Sequence, residues 1–148
     1  MPGEQRPEGK VLSVQLCPGH RKPMNFVPSA MAIENLGLET DRHALPDSSR
    51  QVLLIEKETL DGLGLTPGQV KENITTSGID LMALKHKDRL QIGSEAVLEV
   101  TKACSPCSRM DEIRAGLMSG LAGKRGMLTR VIKGGPIAVG DRVRLLES

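Results

Sequence analysis

The chain has 148 residues, with 20 Lys and Arg against 18 Asp and Glu, no Trp, no Tyr and a single Phe. This length predicts one domain with a core of aliphatic residues and Met. The nearly balanced charge and the lack of aromatic stacking platforms argue against nucleic acid as a partner, and the longest apolar runs are too short to span a membrane.

The N-terminal residues 1–9 are polar and rich in Pro and Gly. They predict a disordered lead rather than a signal peptide, with the folded domain over residues 10–148. Three cysteines are an odd number, which argues against a disulfide framework. We therefore expect a cytoplasmic protein with reduced thiols and no membrane attachment.

The rest of the chain is a series of short stretches that either alternate β-branched with polar residues or, at 50–55, form an apolar run typical of a buried strand, with Gly, Pro and Asn supplying the turns. The predicted strands or extended segments are 10–16, 30–33, 50–55, 71–76, 89–92, 96–101, 127–133 and 142–146. Short helices are predicted at 56–63 and 111–121. This pattern predicts a mainly β fold, a closed or partly closed β-barrel of about seven strands with two or three short helices.

Residues 104–107 read Cys-Ser-Pro-Cys, directly after a predicted strand. A thiol on a Pro-containing turn with Arg109 two positions on is well placed to be a thiolate, because a nearby cation and partial exposure lower the cysteine pKa below about 8.5. The thiolate attacks sulfur and binds soft metals. Cys107 is thus the candidate reactive group, with Arg109 as its electrostatic partner, and Cys104 a structural or resolving thiol.

Zinc is an alternative use of the same cysteines. Cys17 and His20 are three positions apart, as are Cys104 and Cys107, which is the spacing of a structural zinc site. The two halves are more than about eighty residues apart, so the hypothesis depends on the fold bringing them together.

Six short pieces stand in one order along the chain. They are Gly37 to His43, Arg50 to Val52, Glu72 to Ile74, Asp88 to Gly93, Ser105 to Cys107, and Gly134-Gly135 with Val139 to Asp141. This order resembles the MOSC domain, the C-terminal domain of molybdenum-cofactor sulfurases, which also occurs alone in bacteria. The resemblance covers about residues 10–146 and implies a β-rich domain.

The resemblance also implies roles for particular residues. Cys107 matches the family's key cysteine, which carries sulfur or ligates molybdenum. Arg50 and Asn73 match positions near the pterin and its phosphate, and Arg42 is a further candidate for the phosphate. Asp41 and His43 belong to the same cofactor-binding motif; for Asp41 a loop-fixing role is the alternative.

Several cations have a second interpretation from the residues alone. Arg50 opens a predicted buried strand, so it must pair either with Glu72 or with a bound phosphate. Lys124, Arg125 and Arg130 are expected to be solvated, with a place at the mouth of a pocket as the alternative.

The chain departs from the family pattern at two turns, where Thr40 and Lys87 stand in place of the usual glycine. Glycine tolerates backbone angles that threonine does not, so we expect the turn at Thr40 to differ. The domain that binds pyridoxal phosphate in the sulfurases has no counterpart here, so pyridoxal phosphate is not expected on this chain.

The resemblance predicts a protein that binds the molybdenum cofactor, or carries sulfur as a Cys107 persulfide, with a cysteine desulfurase or other sulfur donor and a molybdenum enzyme or electron-transfer protein as partners. Whether it is an enzyme stays open; a sulfurtransferase-like activity or a role as a molybdoenzyme component is favoured. The alternatives are a molybdenum-dependent reductase of N-hydroxylated compounds and a zinc-stabilised, non-catalytic β interaction module.

Overall fold

The computed structural model describes residues 8–19, 22–104 and 109–146. The strands are β1 (Glu8–Leu16), β2 (Asn25–Val27), β3 (Ser29–Ile33), β4 (Gly37–Leu38), β5 (Val52–Glu56), β6 (Ile74–Ser77), β7 (Arg89–Ile92), β8 (Ala96–Ala103), β9 (Met127–Lys133), β10 (Gly135–Ala138) and β11 (Arg142–Leu145). The α-helices are α1 (Lys57–Gly62), α2 (Arg109–Ile113) and α3 (Leu117–Gly120), and one 3₁₀ turn spans Leu81–Ala83.

Seven of these strands form a closed barrel. Their order is β1, β6, β5, β9, β8, β7 and β11, and β11 returns to pair with β1. The pairs are antiparallel except β5 with β6, which run parallel with Leu54 opposite Ile74. The pairing of Glu8 with Arg144 closes the ring, so the barrel leaves no open edge there. The predicted closed barrel of about seven strands is confirmed.

Aliphatic residues fill the barrel because alternate side chains of each strand point inward. The nearly fully buried side chains of this core include those of Val14, Val52, Leu54, Ile74, Leu90, Leu98, Val131 and Val143. Phe26, the single aromatic residue, lies on β2 outside this core and is 63% exposed. Packing therefore depends on branched aliphatic side chains, as the composition predicts.

Two further layers flank the barrel. A small sheet in the order β10, β3, β4 adds Ala32, Leu38 and Ile137 to the same core. A second apolar cluster joins the outer face of β5, through Ile55, to the helices, through Leu60 and Met110. That second cluster holds α2 and α3 close to the chain segments that form the cleft described below.

Most of the predicted elements are present with shifts of one to three residues at their ends. β1 begins at Glu8, two residues earlier than predicted, and residues 1–7 of the expected lead lie outside the described part of the chain. The single helix predicted over 111–121 is wrong: α2 and α3 are separated at Gly116, whose φ of +84° is left-handed and stops a continuous helix. Strands β2, β4 and β10 were not predicted, since each has only two to four residues.

Among the described residues, none of the helices is both long enough and apolar enough to cross a membrane.

Candidate functional site

A cleft with two adjoining chambers lies where the β4–β5 loop, the start of β6, the end of β8 and helix α2 meet. The larger chamber has a volume of about 370 Å³ and the smaller about 200 Å³. His43, Lys71 and Arg125 line both, so the chambers share a wall. The larger is also lined by Cys17, Gly19, Lys22, Arg42, Met110, Glu112 and Ile113, and the smaller by Arg50, Leu53, Asn73, Cys104 and Leu128.

Positive charge dominates the larger chamber. Its described lining contains four cations, Lys22, Arg42, Lys71 and Arg125, and one carboxylate, that of Glu112. None of these four cations takes part in an ion pair within the described part of the chain. A concave surface lined by one sign of charge concentrates field lines and attracts anions. The lining therefore favours an anionic ligand.

Asp41 is buried in the loop after β4, next to Arg42 and His43 of the cleft lining. It is 6% exposed, and its Oδ1 accepts hydrogen bonds from the Cys17 backbone N–H at 2.6 Å and from Asn73 Nδ2 at 3.0 Å. Its Oδ2 accepts from the His43 backbone N–H at 3.0 Å and lies 3.4 Å from His43 Nδ1. These contacts fix the loops, which was the alternative role predicted for Asp41, and they aim Arg42 and His43 at the cleft.

Asn73 is fully engaged with the protein. Its Oδ1 accepts a hydrogen bond from the Leu53 backbone N–H at 3.0 Å, and its Nδ2 donates to the Gln15 carbonyl at 3.2 Å as well as to Asp41. Both hydrogens of the carboxamide are thus used. Asn73 lines the smaller chamber but acts here as the link between β1, β5 and the Asp41 loop.

A buried polar network continues below Asn73. Gln15 Nε2 donates to the Glu72 carbonyl at 3.0 Å, and Glu72 Oε2 accepts from the Gly68 backbone N–H at 3.0 Å and from Thr75 Oγ1 at 2.8 Å. Burial raises the pKa of Glu72, although these hydrogen bonds and the charge of Arg125 act to lower it. Nothing in the local sequence distinguished Gln15, because it is a polar residue between Val14 and Leu16, as expected for an ordinary alternating strand.

Arg125 is buried rather than solvated, so that expectation is wrong. Its side chain is 6% exposed, and Nη2 donates to the Val70 carbonyl. Nη1 has no hydrogen-bond partner within the described residues. Arg130, which was also expected to be solvated, forms an ion pair with Glu99 at 3.0 Å.

Gly126 explains how the guanidinium reaches the cleft. Its φ is +114°, and a Cβ there would lie 2.3 Å from the Leu54 carbonyl oxygen. The chain must therefore pass against the backbone of β5 at this point, which only glycine permits. This close approach carries Arg125 into the space between the chambers.

The structure brings four of the predicted cofactor-binding residues to the cleft. Arg42 and His43 line the larger chamber, and His43, Arg50 and Asn73 line the smaller. The expectation that Arg50 opens a buried strand is wrong, however. β5 begins at Val52, and Arg50 is exposed. Within the described residues, Arg50 forms no ion pair with Glu72. An exposed position before the strand leaves its guanidinium in contact with solvent.

Cys107 lies outside the described residues, as does the side chain of Arg109. The two ends of that segment are described: Cys104 follows β8 and lines the smaller chamber, and Met110 of α2 lines the larger. Cys107 is three residues from each of them along the chain.

The zinc hypothesis stays a prediction. The described residues include no cluster of three or more metal-binding side chains, but His20 and Cys107 are not among them. Cys17 lines the larger chamber and Cys104 the smaller.

Both departures from the family's glycines have left-handed backbones. Thr40 has a φ of +67° and Lys87 a φ of +78°. Non-glycine residues rarely adopt this region, and β-branched ones least of all. Each turn therefore has a backbone conformation that favours glycine, although it carries a side chain; whether the Thr40 turn differs from that of the family stays a prediction.

Comparison with known proteins supports the assignment of this fold. The family model described as "MOSC domain" matches residues 39–144, well over half of the chain. YuaD from Bacillus subtilis has a similar structure, with a TM-score of 0.80 and 18% identity over 95% of this chain and 97% of that one. YiiM from Geobacillus stearothermophilus follows with a TM-score of 0.74 and 19% identity over 94% of this chain and 75% of that one. YiiM from Escherichia coli has a TM-score of 0.70 and 20% identity over 94% and 70%. No curated protein matches the sequence.

Proposed function

The chain belongs to the MOSC domain family, and on that premise we propose that it binds the molybdenum cofactor, or carries sulfur for it, through Cys107. The observation that supports this most directly is the cleft: its two chambers adjoin both ends of the segment that contains Cys107. Its cationic lining suits an anionic, phosphate-bearing cofactor.

The residues present fit such a cofactor in charge and in donor chemistry. Arg42 and Arg50, which line different chambers, offer guanidinium groups outside any ion pair of the described residues, and a guanidinium matches two phosphate oxygens at once. Asn73 would position the loop through Asp41. When bound, the cofactor would supply a molybdenum ion to which a thiolate such as that of Cys107 is a suitable ligand.

Sulfur carriage uses the same thiol. The Cys107 thiolate would attack the sulfane sulfur of a donor persulfide, forming a new S–S bond while the donor's S–S bond breaks and the donor leaves as a thiolate. No external oxidant or reductant is consumed in this exchange. Arg109, two residues on, would favour the anionic persulfide through its charge.

Two measurements on one purification test the proposal. Protein from a host that makes the cofactor is analysed for molybdenum and zinc, and its intact mass is measured after incubation with a cysteine desulfurase and cysteine. We expect molybdenum near one per chain, or a mass increase of one sulfur atom, and we expect Cys107→Ser to abolish either result without changing the circular dichroism spectrum.

Cys104→Ser is the matched control, because it removes a thiol from the same segment. It should have the milder effect. A reversed ranking of the two variants, or a Cys107→Ser protein that keeps molybdenum and sulfur loading, would refute the proposal. Zinc near one per chain that is lost in Cys17→Ser would instead select the zinc-stabilised module, and molybdenum together with reduction of N-hydroxylated compounds would extend the proposal to a reductase.

A further inference from the structure

Four arginines lie on one outer face of the barrel, on strands that follow each other in the order β11, β7, β8 and β9. Arg142 and Arg144 are on β11, Arg89 is on β7 and Arg130 is on β9. They point outward because the residues next to them along each strand are buried in the core. The helices pack elsewhere: α1 lies against β5 and β6, and the second apolar cluster joins the helices to the outer face of β5. We call the surface formed by these four side chains the arginine face.

Glu99, on the intervening strand β8, orders two of these arginines. It lies opposite Arg89 on one side and Arg130 on the other. Arg89 Nε donates to Glu99 Oε2 at 3.2 Å, and Arg130 Nε donates to Oε1 at 3.1 Å. The Glu99 side chain is only 9% exposed, whereas those of Arg89 and Arg130 are 52% and 43% exposed. Both Nη groups of Arg89 and Nη1 of Arg130 have no partner among the described residues, so these donors are available to a ligand.

The other two arginines are held on the same face with less compensation of their charge. Arg144 Nη2 donates to the neutral Gln91 Oε1 at 3.0 Å, and no carboxylate of the described residues forms an ion pair with it. Arg142 Nη2 pairs with Glu8 at 3.3 Å, and both side chains are exposed. The four guanidinium groups are thus paired with only two carboxylates, those of Glu8 and Glu99. An excess of positive charge remains on the arginine face.

We propose that the arginine face docks a protein surface rich in Asp and Glu. A guanidinium binds both oxygens of a carboxylate, and arginine is enriched at protein–protein interfaces, where lysine is depleted. Because Glu99 and Gln91 already order three of the arginines, docking loses less side-chain entropy than it would with unrestrained side chains. The excess charge attracts an acidic partner and disfavours a basic one.

The arginine face is connected to the candidate site through β8. Glu99 is five residues before Cys104, which lines the smaller chamber. A strand of that length spans about 17 Å, so a partner protein docked on the face would reach the mouth of the cleft. The inference rests on the proposed function only for the role of this partner, as the protein that supplies sulfur or electrons.

An acidic peptide tests the docking chemistry. A fluorescein-labelled peptide of about eight alternating Asp and Glu residues is long enough to span the four strands, which lie about 4.8 Å apart. Its binding to the full chain is followed by fluorescence anisotropy at low ionic strength. We expect saturable binding that added salt weakens. Absence of binding at millimolar protein concentration would overturn the proposal. Tighter binding of a single-stranded oligonucleotide of equal charge would also overturn it, because the face would then suit nucleic acid.

Variants then locate the binding surface. Arg89→Gln combined with Arg144→Gln should weaken peptide binding about tenfold or more. Arg144→Gln alone leaves the Glu99 pairs intact and should weaken binding several-fold, so it decides the matter if the double variant fails to fold. Arg114→Gln is the matched control, because it removes an exposed arginine between α2 and α3, and it should bind like the unaltered chain.

Two results with these variants would refute the assignment. One is an equal loss of affinity in Arg114→Gln and Arg144→Gln, which would mean that the peptide follows overall charge. The other is a loss in Lys22→Gln with none in Arg144→Gln, which would place the peptide in the cleft.

The peptide titration is independent of the chemistry of Cys107, so Cys107→Ser should bind the peptide normally. Peptide binding that depends on Arg144, in a chain that never carries molybdenum or sulfur, would refute the proposed function alone. Normal molybdenum or sulfur loading, with peptide binding unchanged in Arg144→Gln and in the double variant, would refute the docking surface alone.

Discussion

Asp41 Oδ1 and Asn73 Nδ2 are joined by a hydrogen bond of 3.0 Å next to the smaller chamber, which Asn73 lines. The bond connects the loop after β4 to the residue that precedes β6. Because both partners are buried and each also binds backbone groups, this contact helps to fix the loop that carries Arg42 and His43.

Asp41→Asn should lower the free energy of unfolding by about 2 kcal/mol, since charge-assisted hydrogen bonds to buried groups contribute about 1.5–3 kcal/mol. The new amide would point donor hydrogens at the His43 backbone N–H, which is itself a donor. Urea unfolding measures the difference. The control is Asp61→Asn, which removes only an exposed ion pair with Lys57 on α1 and should cost less than about 0.5 kcal/mol. Equal losses in the two variants would contradict the structural role of Asp41.

Glu99 gives a pH-dependent prediction. Burial acts to raise its pKa, but hydrogen bonds and charges from Arg130 and Arg89 outweigh burial and leave the pKa below its ordinary value of 4.5. A carboxylate with a lowered folded-state pKa stabilises the fold above its unfolded pKa, and this contribution is lost as pH falls through the folded value. Glu99→Gln should therefore cost about 1 kcal/mol at pH 7, a modest figure because both arginines are partly exposed.

The difference between Glu99→Gln and the unaltered chain should shrink below about pH 4.5, as urea unfolding at several pH values would measure. Glu8→Gln is the control, because its ion pair with Arg142 is exposed on both sides. A pH-independent difference for Glu99→Gln would mean that the arginine pairs do not carry the effect.

Gly126→Ala should be strongly destabilising, by about 3 kcal/mol or more, because the new Cβ would lie 2.3 Å from the Leu54 carbonyl oxygen at a φ of +114°. Gly123→Ala is a control three residues away: its φ is +75°, but nothing lies within 4 Å of the added Cβ. It should cost only the conformational penalty of about 1–2 kcal/mol. Thermal unfolding of the two variants would show the gap, and similar losses would argue against the close approach of Gly126 to β5.

Lys87→Gly should stabilise the protein by about 0.5–1 kcal/mol. Relief of a left-handed backbone at φ +78° outweighs the extra entropy that glycine has in the unfolded chain. Lys85→Gly, two residues earlier in the same exposed turn and without a positive φ, should instead destabilise by a similar amount. Chemical denaturation distinguishes the two, and a loss of stability in Lys87→Gly would show that its side chain contributes contacts that offset the strain.

Local pattern predicted the barrel well because most barrel strands carry their own alternation or apolar run and end at turn residues. β9, for example, has the predicted bounds Met127 to Lys133, and the hairpin of β7 and β8 was correct except for two residues at its end. Elements whose stability comes from neighbours were missed. β2 and β4 have too few residues to carry a pattern, and the break between α2 and α3 depends on a single left-handed glycine.

For the candidate site, too, the sequence predicted some features correctly and others wrongly. The sequence pointed to Arg42, His43, Arg50 and Asn73, and all four line the cleft. It gave the wrong environment for two arginines: Arg50 was expected to be buried and is exposed, and Arg125 was expected to be solvated and is buried. Burial of a single side chain depends on what other segments cover it, and local sequence does not contain that information.

By itself, then, the sequence determined the β-rich fold, because strand periodicity and turn residues are encoded within a few neighbouring residues. Only the tertiary structure decided which cations share a chamber. Lys22, Lys71 and Arg125 come from distant parts of the chain, and they meet because the parallel pairing of β5 with β6 and the passage of Gly126 against Leu54 bring those parts together. Closing a barrel fixes distances between residues far apart in sequence, and the cationic lining of the cleft is a consequence of that closure.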